Sequence, residues 1–249
     1  MWTRVCVVLL SQLMFILTIG LAEDAKPAAA APAKDLKVGS LQASKVLFLG
    51  NSITLHGVAP HLGWNLNCGM AASAPEKDYV HLVTASLAKA AGGEPQVMVK
   101  NIADFERKFE SYDLEAGLKD ELAFEPQMVI VAIGENVDPL TTDELKAKYQ
   151  AAFARLLSTL KKHGDPVVFV RSSFWADPAK DGAMEQASAA APSVVFLKIS
   201  ELNKDPKNTA SSERKFEHAG VAGHPGDRGM KAIADAIWTT IEKRAAVKP

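Results

Sequence analysis

Ser52 stands two residues beyond Gly50, where an apolar run, Val46–Leu49, stops, in the stretch K-V-L-F-L-G-N-S-I-T of residues 45–54. A serine hydroxyl is a weak nucleophile until a neighbouring base takes its proton, and histidine's pKa suits that task near neutrality. Of the six histidines, His163 falls at a helix end on the opposite edge of the fold, and His81 near the start of another helix. His56 and His61 are close to Ser52 in the chain but belong to a long loop, and local proximity does not give orientation. His224 stands in G-H-P-G-D-R-G-M, immediately before a helix, with Pro225 stiffening the backbone after it. From there it could reach Ser52. Acyl transfer also needs donors for the developing oxyanion. Asn136, in G-E-N-V-D, has a side-chain NH2 that could serve, with the Ser52 N–H as a second donor. Each residue also has a plainer use: Ser52 as a polar turn, Asn136 as a turn residue after a strand, His224 as packing at a loop end. The chemistry requires the fold to bring all three to one place.

The surrounding pattern predicts such a fold. Apolar runs at Val46–Leu49, Gln96–Lys100, Met128–Ile133, Pro166–Val170 and Val194–Leu197 have the length and composition of buried strands. Helical spacing between them predicts helices at Tyr79–Ala91, Leu114–Leu122, Met184–Ala191 and from Asp227 onward, with Asp227 as N-cap. Another helix starts at a capping box formed by Thr141 and Glu144 and runs to Gly164. Five short apolar strands alternating with amphipathic helices imply a parallel sheet covered on both faces, a doubly wound α/β/α sandwich in one domain. Ligands bind in such sheets beyond the carboxyl ends of the strands, where Ser52, Asn136 and the loop bearing His224 all fall. Two connections, 55–78 and 200–226, are long enough to be functional or disordered, and Trp64, Leu66 and Met70 argue against disorder in the first. Trp64, Phe174 and Trp175 could line a sugar pocket or pack in the core.

Composition narrows the classes. The 28 Lys+Arg nearly cancel the 29 Asp+Glu, and no basic block stands out, so a nucleic-acid partner has no electrostatic support. Two cysteines, one of them Cys6 in the N-terminal apolar segment, leave Cys68 alone in the body, without an internal disulfide, zinc site or Cys-x-x-Cys pair. Phosphate-cradling glycine motifs and G-x-S-x-G are absent. Glu135, Asp138 and Asp143 have no histidine at ligand spacing, so they read as turn carboxylates rather than metal ligands. Residues 1–22 read as a cleaved export signal: Arg4, then the apolar Val5–Leu21, then small residues around Ala22. An uncleaved anchor is the alternative. Cleavage leaves 27 − 29 = −2 net charge and a secreted or periplasmic protein, with no membrane partner beyond the signal. Residues 23–43, rich in Ala and Pro, read as a tether, and 44–249 as the folded domain.

Ser52 in G-N-S-I-T, Asn136 in G-E-N and His224 in G-H-P, in that order on an alternating α/β chain, resemble the SGNH/GDSL hydrolases over about residues 44–245. The resemblance implies a flavodoxin-like three-layer fold and an esterase, lipase, carbohydrate deacetylase or thioesterase without metal or organic cofactor. Ser52 would be the nucleophile, His224 the base, and Asn136 an oxyanion donor. The chain departs from the family pattern at three places. Asn51 replaces the motif's Asp. No glycine matches the family's second-strand donor in N-I-A-D-F-E-R (101–107), where the Ala103 N–H or Arg107 could substitute. Val221 occupies the position of the triad acid, leaving Glu217 or a backbone carbonyl of 220–222 to orient the imidazole. Asn51, Trp64, Arg107, Glu135 and Trp175 are the candidates for the pocket wall. The sequence thus points to an exported hydrolase of small or carbohydrate-linked acyl esters. A weak or inactive glycan-binding module, and an acyltransferase, are the alternatives.

Overall fold

The computed structural model describes residues 35–247. The expected signal segment and the tether up to residue 34 lie outside the described residues. Residues 35–43 are not tether. Strands β1 (Lys37–Val38) and β2 (Leu41–Gln42) form a small antiparallel hairpin. The segment D-L-K-V-G-S-L-Q-A alternates polar and apolar residues, and Leu36, Val38, Leu41 and Ala43 are all buried. Gly39 makes the turn at φ +55°, a conformation glycine adopts without steric cost. Residues 35–43 therefore belong to the folded domain, expected from the sequence to begin at 44.

Five parallel strands form the main sheet: β3 (Lys45–Gly50), β4 (Gln96–Asn101), β5 (Met128–Ala132), β6 (Val167–Arg171) and β7 (Val194–Leu197), in the order β4-β3-β5-β6-β7. The central strands are apolar on both faces, as a sheet covered on both sides requires. Val46, Phe48, Ile130 and Phe169 face one core, Leu47, Leu49, Val129 and Val131 the other. Helices α1 (Tyr79–Ala91) and α8 (Asp227–Ala245) pack together over the first face. Helices α5 (Asp143–Lys162) and α6 (Pro178–Ala190) cover the second.

Sequence signals and structure differ at several element ends. The cap of α5 is Thr142, whose hydroxyl accepts from the Leu145 N–H, not Thr141. The expected helix 114–122 divides at Leu118 into α3 (Leu114–Gly117) and α4 (Lys119–Ala123). Helix α6 starts six residues before Met184, because Asp177 caps it and Pro178 takes its first turn, where the missing N–H costs nothing. The residue before α8 is Gly226, so Asp227 opens that helix rather than capping it; its carboxylate instead accepts from the Ser73 N–H and hydroxyl. Helices α2 (Ala103–Arg107) and α7 (Ala219–Gly223) carry no helical periodicity in the sequence, and both lie at the candidate site.

The strand order reverses between β3 and β5. In open α/β sheets such a switch point leaves a crevice at the carboxyl edge, because the connections on either side of it lead away to opposite faces. The turn after β3 brings Ser52 to that crevice and the turn after β5 brings Asn136.

Candidate active site

Strand β3 ends at Gly50, a position where nothing larger fits. A Cβ there would overlap the Thr54 side chain and lie 3.0 Å from the Ala132 carbonyl oxygen. The chain then closes on itself, with the Thr54 and Leu55 N–H groups both donating to the Asn51 carbonyl at 2.9 Å. The Ser52 carbonyl accepts from the Met70 N–H at 2.8 Å, anchoring the turn to the long loop. That loop is ordered by backbone bridges, His56 to Cys68 and Ala59 to Trp64.

The Ser52 Oγ lies 2.8 Å from His224 Nε2. The other ring nitrogen, Nδ1, lies 2.7 Å from the Gly220 carbonyl oxygen. A carbonyl only accepts, so Nδ1 carries the proton and Nε2 presents a lone pair to the serine hydroxyl. Two backbone bonds hold the imidazole's own residue: the His224 N–H donates to the Val221 carbonyl, and the Ala210 N–H donates to the His224 carbonyl. The Trp175 ring packs edge-on against the imidazole, centroids 5.2 Å apart at 85°. Burial lowers the His224 pKa from its ordinary value; the Gly220 carbonyl and the Glu135 charge act in the opposite direction. The ring is therefore neutral and basic near neutral pH.

Glu217 does not orient His224. Nδ1 is engaged by Gly220, four residues back in the turn of α7, and Glu217 is exposed. The backbone carbonyl that the sequence left as an alternative occupies the position.

Behind the serine is a buried polar cluster. Asn51, fully buried, donates from Nδ2 to Glu135 Oε2 at 2.7 Å and to Glu106 Oε1 at 3.3 Å, and its Oδ1 accepts from the Ile53 N–H. Glu135 is not a wall of the pocket or a solvated turn carboxylate. Its Oε1 accepts from Arg171 Nη1 at 2.6 Å and from the Phe174 N–H at 2.8 Å, and both side chains of the ion pair are buried. Glu106 has no exposed surface and accepts from the Gly134 N–H, the Asn136 N–H and Asn136 Nδ2. Burial raises its pKa first, then the Glu135 charge, while the hydrogen bonds from Asn136 and Gly134 oppose the rise.

In front lies an open cavity of about 480 Å³ whose wall includes Ser52, His224, Asn136, Ala103, Arg107 and His218. Arg107 Nη2 donates to Asn136 Oδ1 at 3.2 Å. The Ala103 N–H is turned to Asn101 Oδ1 at 2.9 Å, so it is not a free oxyanion donor. Of the proposed wall residues, Arg107 lines the cavity and Trp175 stands behind His224. Trp64 belongs to the core, its indole N–H donating to the His56 carbonyl, and Asn51 is interior. Sequence reasoning passed over His218 and Glu106, and also Arg171. A lone arginine closing the apolar strand V-V-F-V-R was the available signal, since a charge buried in a sheet needs a carboxylate. Among the described residues no group of three or more His, Cys, Asp or Glu is placed to hold a metal ion.

No family model matches the chain, and neither does any curated protein. Solved structures do match. A family two carbohydrate esterase from Cellvibrio japonicus superposes with TM-score 0.53 at 16% identity over 82% of this chain and 62% of that one. A family two carbohydrate esterase from Clostridium thermocellum in complex with cellohexaose gives 0.50 at 16% identity over 87% and 66%. A protein described as a GDSL-like lipase from Bacteroides ovatus gives 0.54 at 12% identity over 81% and 99%. The chain spans about two thirds of the length of the carbohydrate esterases and nearly all of the lipase-like protein. It has the three-layer fold of the SGNH/GDSL hydrolases.

Proposed function

We propose that this protein is an exported serine hydrolase that cleaves an acyl ester, small or carbohydrate-linked, with a Ser–His pair. The observation that carries the proposal is the hydrogen-bonded chain from Ser52 Oγ through His224 to the Gly220 carbonyl, with distances of 2.8 and 2.7 Å. It gives the serine a base in the correct tautomer. Ser52 Oγ attacks the ester carbonyl as its proton passes to His224 Nε2. The oxyanion that forms is met by the Ser52 N–H and one Asn136 Nδ2 hydrogen. As the tetrahedral intermediate collapses, the C–O bond to the alcohol breaks and Nε2–H returns the proton to it. Water then attacks the acyl-serine by the same route, releasing the acid and restoring Ser52. The carbohydrate esterases among the structural neighbours, one bound to cellohexaose, favour a carbohydrate-linked ester, and the apolar N-terminal segment favours export.

Turnover of p-nitrophenyl acetate by the wild type and by Ser52→Ala tests the reading, and labelling of Ser52 by a fluorophosphonate probe tests the nucleophile directly. Equal turnover in both proteins refutes the esterase assignment. Failure of folded protein to take up the probe favours the glycan-binding alternative, and faster product release on adding an alcohol favours the acyltransferase.

A further inference from the structure

Asn136 reaches the cavity from a turn, where a side-chain amide is ordinarily free to rotate. Here the side-chain oxygen, one amide hydrogen and the backbone N–H of the residue are all committed. Its Oδ1 accepts from Arg107 Nη2 at 3.2 Å, one Nδ2 hydrogen goes to Glu106 Oε2 at 2.8 Å, and its backbone N–H goes to Glu106 Oε1 at 3.0 Å. The same Oε1 takes the Gly134 N–H at 2.7 Å. Glu106 thus grips the turn on both sides of Glu135 and the amide projecting from it. The two clamping side chains are neighbours on α2, one facing inward with no exposed surface, the other 55% exposed. Because Oδ1 faces a pure donor and Nδ2 a pure acceptor, the amide cannot flip. One Nδ2 hydrogen is left for the cavity that Asn136 and Ser52 both line.

We propose that Glu106 is a positioning residue for the reaction, holding the Asn136 amide so that its remaining hydrogen meets the substrate oxyanion. The inference rests on the esterase reading above. The inner carboxylate of α2 sets the orientation of a donor that it never shares with substrate. A donor fixed before charge develops costs no reorganisation in the transition state, which is why its placement governs kcat rather than KM. Burying a carboxylate so completely is otherwise unfavourable, and burial raises its pKa. Four N–H groups converge on it in compensation, from Asn51, Gly134 and twice from Asn136.

The test is a double-mutant cycle on Ser52-dependent p-nitrophenyl acetate hydrolysis with wild type, Glu106→Gln, Asn136→Ala and the double variant. Folding of each is checked by circular dichroism and thermal unfolding. Glu106→Gln is expected to lower kcat about 100-fold, the scale of losing one oxyanion donor, with KM changed less than about threefold. In the Asn136→Ala background the same substitution is expected to change kcat less than about threefold, because the group it acts through is gone. A purely structural role moves both backgrounds alike. Equal losses in the two backgrounds, or wild-type kcat in folded Glu106→Gln, overturn the inference and leave the esterase reading standing. Absence of Ser52-dependent turnover in the wild type overturns both. If the Gln variant does not fold, Glu106→Asp keeps the charge, withdraws it by one methylene and carries the same cycle.

Discussion

The substitution Asn51→Asp exchanges an NH2 for an oxygen at a point where only a donor is tolerated. Nδ2 sits 2.7 Å from Glu135 Oε2 and 3.3 Å from Glu106 Oε1, with Arg171 the cation paired to the cluster. An ionised aspartate in this place would make three carboxylates around one guanidinium. At a separation near 4 Å and an effective dielectric of 20, each new like-charge contact costs about 4 kcal/mol. The lost hydrogen bond to a charged acceptor adds about 2 kcal/mol. A protein of ordinary stability has about 5–15 kcal/mol in hand, so the variant sits near the edge of folding at pH 8. Protonation relieves the conflict, because the O–H of the introduced carboxylic acid can donate where Nδ2 did. That carboxyl's pKa in the folded state is therefore raised above its unfolded value of about 3.9. The variant accordingly matches the wild type most closely below that value, and its deficit grows as pH rises toward the folded-state pKa. At 1.36 kcal/mol per unit, the deficit grows from about pH 4 and reaches about 5 kcal/mol by pH 8. Urea unfolding of both proteins at intervals between pH 4.5 and 8 measures it. A variant as stable as the wild type at pH 8, or a deficit that does not shrink toward acid, refutes the account of Asn51 as an obligatory donor.

The remaining expectations concern the base and the turn. Burial lowers the His224 pKa, so the acid limb of kcat/KM for p-nitrophenyl acetate should fall below the ordinary histidine value of about 6.5; a limb at or above that value contradicts the buried, neutral ring. The same shift means that His224's contribution to stability is present above about 6.5 and is lost as pH falls through the lower folded-state pKa. Gly50→Ala should destabilise the fold by about 3 kcal/mol, because the added methyl overlaps the Thr54 side chain and meets the Ala132 carbonyl. A urea midpoint unchanged from wild type shows that the turn relaxes.

Much of the architecture was legible because a strand buried on both faces must be apolar throughout, as Val46–Leu49 and Met128–Ala132 are. The sheet edge followed from the same strands, and with it the shared location of Ser52, Asn136 and His224. What escaped was short. The alternation across the two-residue strands Lys37–Val38 and Leu41–Gln42 is too short to stand out from the preceding Ala/Pro stretch, and five-residue helices do not complete a second turn. The segment N-I-A-D-F-E-R is too short to show a helical spacing, yet α2 turns Glu106 inward and Arg107 outward. Trp64 was ambiguous for the opposite reason. An aromatic in a long loop looks exposed, but the bridge between Ala59 and Trp64 folds it back into the core. Glu135 misled because its partner lies 36 residues away at the end of β6.

The pair Ser52–His224 also bears on what an orienting acid contributes. A carboxylate at Nδ1 does two things: it fixes the tautomer, and it stabilises the imidazolium that forms when the serine proton arrives. The Gly220 carbonyl does the first completely, being a pure acceptor at 2.7 Å. It does the second only as a dipole. The carboxylate that His224 does feel is Glu135, whose charge is already drawn on by Arg171, Asn51 and the Phe174 N–H. The imidazole is therefore easy to keep neutral and costly to charge. On the proposed esterase reading, transition-state stabilisation falls more heavily on the oxyanion side, where the donor must be held rigidly from the start. That requirement matches the investment at Asn136, clamped by Glu106 below and Arg107 above. On the esterase reading proposed above, the lack of an acid at Val221 and the presence of a buried one at Glu106 are parts of one design, in which the fixed charge supports the proposed oxyanion donor instead of the proposed base.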